Sequence, residues 1–145
     1  MPIKPENKGR YPKDWKQIRE RILARAGNRC EHPGCSARNY SVGHWVLKNG
    51  LYQWSAYWAQ TEDQHTYADA RELAAEMFWI GGEEGKKPTI IVLTIAHLDH
   101  QPENCADDNL AAMCQRHHLA YDHEHHQRNA QATRRAKSGT LELFA

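Results

Sequence analysis

Two short spacings far apart in the chain do most to limit what it folds into. Cys30 and Cys35 flank Glu31-His32-Pro33-Gly34, where Pro33 and Gly34 favour a tight turn between the sulfurs, and Cys114 is followed three residues on by His117. Both are metal-ligand spacings. Together they make a Cys₃His set, the composition of a closed tetrahedral structural site, and thiolates with an imidazole favour Zn²⁺. A set in which Cys105 or His32 replaces His117 is the alternative; otherwise Cys105 is an unpaired loop thiol. Four cysteines also permit two disulfides, but the polar start MPIKPENKGR has no signal-peptide pattern, so zinc is expected. With 145 residues, 40% of them apolar, the chain supports one domain with a modest core, which a structural zinc commonly reinforces. No apolar run approaches the roughly 20 residues that cross a bilayer, so no membrane association is expected.

The segment IAHLDHQPENCADDNLAAMCQRHHLAYD, residues 95–122, places chemistry around the second ligand pair. The β-branched run 89–95, bounded by Gly85 and Pro88, predicts a buried strand that delivers His97 at its exit. Pro102, Asn104, Asp107 and Asp108 mark 100–108 as a loop, which Asn109 is placed to tie together by side-chain hydrogen bonds. A short apolar run ends at Met113-Cys114, and a helix is predicted from Gln115 to near Lys137-Ser138-Gly139. On it His118 and Asp122 share one face and can chelate a cation. His117, about 100° away around the axis, points instead to the zinc. Phosphodiester hydrolysis needs a base for water and a cation for the developing charge, and His97 with this pair supplies both. His118 alone would read as one surface histidine of a helix that also carries His123, His125 and His126; its agreement with His97 and Asn109 decides otherwise. His125 and His126 are expected to be solvated.

Strand, His, loop, Asn-Leu, short strand, Cys-x-x-[Cys/His]-His and helix, in that order, resembles the HNH endonucleases. The close match covers about a fifth of the chain, and the part from Tyr11 to Cys35 is similar to the entry helix and first zinc knuckle of small bacterial or phage members. The resemblance implies an α+β fold, with a ββα-metal core over 89–138, an entry helix and knuckle over 14–35 and a hairpin-helix insertion over 36–88. It implies His97 as general base, Asn109 as loop organiser, His118 as ligand of the catalytic metal and Asp122 as a further ligand. Ala96 departs from the pattern, in which an Asp or His ligand often precedes the base. Either water and phosphate complete the coordination, or Asp99 or His100 takes that place. Mg²⁺ or Mn²⁺ is the expected catalytic ion, although Ni²⁺ or Zn²⁺ also suits histidine ligands. DNA held mainly by its backbone is the implied partner, for a monomer or homodimer in the cytoplasm of a bacterial or phage-infected cell. A catalytically inactive zinc-dependent DNA-binding module, or a metal-buffering or interaction protein, remains as an alternative.

Net charge is only +1, yet residues 1–29 hold nine Lys or Arg against three acids, whereas 62–84 holds seven acids and only Arg71. Arg128, Arg134, Arg135 and Lys137 add positive charge late in the chain, so two basic ends are available to a DNA backbone. Asp14 to Gln17 resembles a capping box ahead of a helix over 15–26, with Trp15, Ile18, Ile22 and Ala26 on one stripe. Lys48-Asn49-Gly50 predicts a hairpin with strands near 42–47 and 51–56. A helix over 66–79, with Tyr67, Ala70, Leu73 and Met77 on one stripe, stops at Gly81-Gly82. Trp45, Trp54 and Trp58 are expected to pack on that helix rather than to stack on bases.

Overall fold

A computed structural model of the protein describes residues 5–57, 66–79 and 87–138. Trp58, the Gly81-Gly82 stop, Gly85 and Gly139 lie outside the described residues. The fold is α+β: helices with two small antiparallel sheets.

The first helix, α1 (Trp15–Arg25), follows a 3-10 turn over Pro5–Arg10 and turns Ile18 and Ile22 into the core. The capping box does not form. Asp14 takes φ −92° and ψ 20°, near-helical rather than extended, so its carbonyl receives the Ile18 N–H while its carboxylate caps nothing. The other end is firmer. Gly27 and Asn28 both have positive φ, and their N–H groups donate to the carbonyls of Ala24 and Leu23, the paired bonds of a Schellman stop that aims the chain at Cys30.

Strands β1 (Val42–Lys48) and β2 (Leu51–Ala56) form the expected hairpin, turning on Asn49 and Gly50 with φ of 51° and 76°, as a two-residue type I′ loop requires. Helix α2 (Tyr67–Trp79) is capped reciprocally. Thr66 N–H donates to the Asp69 carboxylate at 2.7 Å, and Asp69 N–H to the Thr66 hydroxyl at 3.2 Å. Of the predicted stripe, Ala70 is buried and Tyr67 is 48% exposed. Of the tryptophans expected on that helix, Trp45 and Trp54 pair across the hairpin, and Trp54 joins the cluster containing Ile18, Ile22, Cys30 and Cys114.

The run expected as one strand is divided between two sheets. Strand β3 (Thr89–Ile90) pairs with β1, giving the order β2-β1-β3, and β4 (Thr94–His97) pairs with β5 (Leu110–Met113). Between them Ile91 exchanges backbone bonds with Tyr40 and Ser41, and Leu93 N–H donates to the Asn39 side chain. Ile91 and Leu93 are both 1% exposed, so burial rather than ladder pairing explains their apolar character. From β5 the chain passes through Cys114 directly into α3 (Gln115–Lys137), within a residue of the predicted limits.

Gly43 lies in the middle of the three-stranded sheet, where a Cβ would fall onto the Ser55 carbonyl oxygen and come 2.8 Å from Ala56 Cα. Both obstacles are backbone. Gly43→Ala is therefore expected to lose about 1–3 kcal/mol in thermal unfolding followed by circular dichroism, and an unchanged melting temperature would contradict this packing.

Candidate metal centre and histidine cluster

The Schellman stop and the Cys30 N–H to Ala37 carbonyl bond of 2.9 Å fix the first cysteine; Gly34, at φ 75°, turns the chain back to Cys35. Cys114 comes from the end of β5 and His117 from the first turn of α3. Cys114 N–H donates to Cys30 Sγ at 3.3 Å, and His117 Nδ1 lies 3.2 Å from Cys114 Sγ and 3.6 Å from Cys30 Sγ. The ligand atoms of Cys30, Cys35, Cys114 and His117 all lie within 4.8 Å of one another. Sulfurs about 2.3 Å from a tetrahedral zinc stand roughly 3.8 Å apart, so the set fits such an ion. These four residues can hold a metal such as zinc.

The electrostatics agree. Hydrogen bonding from the Cys114 side chain, helped by backbone N–H groups, brings the Cys30 thiol down to about 4; Cys114, which shares the proton, is pushed up, and burial pushes Cys35 up. Three thiols in one partly buried space cannot all ionise unless a cation is there. All four cysteines are free thiols rather than disulfides. His32 is not in the set: its ring stacks on His117 at 3.8 Å, with Nδ1 3.0 Å from the Pro33 carbonyl. Cys105 lies elsewhere, 3.6 Å from His97.

Two residues unremarked in the sequence lock the knuckle to β5. Glu31 accepts the Ala112 N–H at 2.7 Å and gives its own N–H to the Ala112 carbonyl. Arg25 donates to Glu31 and to the carbonyls of Asp107 and Leu110. No local pattern announces bonds between positions more than eighty residues apart.

His97 ends β4 and is 9% exposed, its ring stacked on Trp15 at 5.1 Å and edged by Tyr11. Burial lowers its pKa from the ordinary histidine value, and His118 lies within electrostatic reach of it. Asn109 ties the loop as its position suggested: its amide donates to Asp99 at 2.9 Å and to the Asn104 carbonyl at 2.8 Å, and its side-chain oxygen accepts the Asp99 N–H. Arg10 clamps the loop from outside through Glu103 at 3.0 Å, which holds the neighbouring Tyr11 against His97.

The two residues left as alternatives beside Ala96 separate. Asp99 uses both carboxylate oxygens inside the loop, on Asn104, Asn109 and the Gln101 N–H, and the side-chain bonds from Asn104 and Asn109 bring it down to about 2. It does not turn to the helix. His100 does, its Nδ1 3.3 Å from Asp122 Oδ1. His118 Nε2 lies 3.1 Å from Asp122 Oδ2, and the Thr94 hydroxyl meets His118 Nδ1 at 2.5 Å, fixing the ring as ligating histidines usually are fixed. Ala96 is two residues from Thr94 on β4, so its methyl shares that side of the strand and offers no donor.

Of the two histidines expected in solvent, His126 is exposed, whereas His125 is half-buried against the cluster. The His125 ring stacks on His100 at 4.3 Å, and His126 Nε2 is 3.8 Å from Asp122. Asp122 thus divides its oxygens among three imidazoles. Among the described residues these donors do not close into a compact set of three or more as the cysteines do. No helix of the described residues is long and apolar enough to cross a membrane. Comparisons with protein-family models, curated proteins and solved structures find no match to this chain.

If the Cys₃His group is the metal centre, the purified chain holds one zinc, Cys114→Ser releases it and Cys105→Ser retains it by elemental analysis, and Cys114→Ser lowers the melting temperature in thermal unfolding. Loss of zinc from the Cys105 variant would contradict this ligand set.

Proposed function

We propose that this protein is a zinc-stapled HNH-type endonuclease that hydrolyses DNA phosphodiester bonds with the help of a second divalent cation. The observation that carries the reading is one juxtaposition. His97 closes β4, the Asn109-tied loop follows it, and the same loop brings His100 to Asp122, one turn beyond His118 on α3. The order β4, loop, β5 and α3 supports the reading as a ββα-metal core.

One donor pair has the spacing a cation needs, since donors at right angles about an ion and about 2.1 Å from it stand roughly 3 Å apart, close to the 3.1 Å between His118 Nε2 and Asp122 Oδ2. His118 and Asp122 would hold it, with His100 beside them and water or phosphate completing the shell. Such a cation neutralises charge on the phosphoryl and leaving oxygens. Burial keeps His97 neutral near pH 7, with a lone pair for a proton. In the proposed reaction His97 takes that proton from a water, whose oxygen bonds to phosphorus in line as the bond to the 3′ oxygen breaks. Trp15 and Tyr11 fix the imidazole plane, and the bonds between Asn109 and Asp99 keep the following loop from drifting. Zinc at the Cys₃His group would be structural, because four protein ligands leave no open position.

The alternative is a DNA-binding module without catalysis. Ala96, where a metal ligand often stands, favours it.

Plasmid nicking with Mg²⁺, Mn²⁺, Ni²⁺ or Zn²⁺ tests the proposal. His97→Ala is expected to lose at least about 10²-fold in rate, the usual worth of a general base, with zinc content unchanged, and His118→Ala to lose activity and to need a higher concentration of the added ion for what remains. The rate should rise with pH through an acid limb below about pH 6.5, because only neutral His97 accepts a proton and burial lowers its pKa. DNA binding without nicking in any of the four ions would favour the inactive module, and full activity of His97→Ala would overturn the assigned base.

A further inference from the structure

Helix α3 runs for 23 residues, about 34 Å, and its side-chain bond to β4 is made near its beginning, from His118 to Thr94. Every residue from Gln127 to Ser138 is exposed among the described residues. That half contains no apolar side chain larger than alanine, so it has nothing to bury against a protein core or a lipid surface. It also contains no carboxylate: from His125 to Ser138 the ionised side chains are Arg128, Arg134, Arg135 and Lys137. At 100° per residue these four spread over roughly half the circumference. Cations in the last turn do complement the helix dipole, but that would serve a helix ending ten residues earlier equally well. Arg128 is partly occupied by Glu124 at 3.5 Å, which leaves the last-turn trio as the main positive surface.

We infer that this projecting half of α3 is an electrostatic arm for double-stranded DNA, with Arg134, Arg135 and Lys137 on backbone phosphates. The inference rests on the nuclease reading and names its substrate class. A stiff helix about 10–12 Å across matches the roughly 12 Å major groove of a duplex. Single strands are gripped instead by stacking on aromatic rings, and no Phe, Tyr or Trp occurs from Asp122 to Ser138. The arm begins where Asp122 and His126 end the histidine cluster, so DNA lying along it passes the proposed site. Arg134 is roughly 18 Å from Asp122 along the axis, about five base-pair steps.

Fluorescence anisotropy of the zinc-loaded full chain, with a labelled duplex of about 20 base pairs and with its single strand, over a salt series and without added catalytic ion, tests the arm. The natural chain is expected to bind the duplex more tightly. The variant R134Q/R135Q/K137Q should bind it at least about tenfold more weakly, with a salt slope smaller by about 2–3, since each phosphate contact contributes about 0.9. R134K/R135K/K137R should restore both, and zinc content and circular dichroism should match throughout. Unchanged duplex binding and slope in the glutamine variant would overturn the arm while plasmid nicking left the nuclease reading standing. Equal or tighter single-strand binding would overturn the duplex assignment. A natural chain that binds no DNA at all would remove both readings together.

Discussion

Four ligand atoms within 4.8 Å, contributed by a knuckle after α1, the end of β5 and the first turn of α3, are the constraint on which the arrangement depends. The apolar core around them is small, and two of its buried members, Cys30 and Cys114, belong to the set that can hold a metal. In so small a core, metal affinity and folding free energy are coupled, because no preformed site exists in the unfolded chain. His117 and His118 are adjacent on one helix. Holding His117 in the cysteine cluster sets the rotation of α3, and that rotation presents His118 to Thr94 and Asp122 to His100.

The histidine cluster differs in character from the cysteine cluster. The cysteine set is compact, whereas the donors around Asp122 are spread over two carboxylate oxygens and three imidazoles. Beside it the loop 98–109 is over-determined by bonds from Asn109, Asn104, Arg10 and Tyr121. Part of the positive charge near the N-terminus is consumed here: Arg10, Arg21 and Arg25 pair with Glu103, Asp107 and Glu31. The basic sequence bias therefore serves the fold as well as any polyanion. Among the described residues, Arg134, Arg135 and Lys137 on the projecting half of α3 have no such ion pair, and Arg128 has one only with Glu124 of the same helix.

Local chemistry was legible in the sequence. The Asn49-Gly50 turn, the limits of α3 and the two ligand pairs follow from turn geometry, helix propensity and ligand spacing, each encoded within a few residues. Partner choice was not. The run 89–95 carries the same β-branched signature whether it feeds one sheet or two, and only the long-range bonds of Ile91 and Leu93 divide it. Likewise Asp14 has the composition of a cap without the extended backbone a cap needs, and Trp45 and Trp54 pack beside His117, Cys30 and Cys114, which two distant segments bring together. Tyr11, Trp15 and Cys105 around His97, and His126 beside Asp122, were missed for the same reason. His125 and His126 fall on the Asp122 face of α3, a signal available from helical spacing.

The most direct test of the central claim is X-ray absorption at the zinc edge of the purified protein. One zinc with three sulfurs at about 2.3 Å and one nitrogen at about 2.0 Å is the predicted shell. Four sulfurs, which would bring Cys105 into the site, or an absence of bound zinc with the cysteines joined as disulfides, would contradict it.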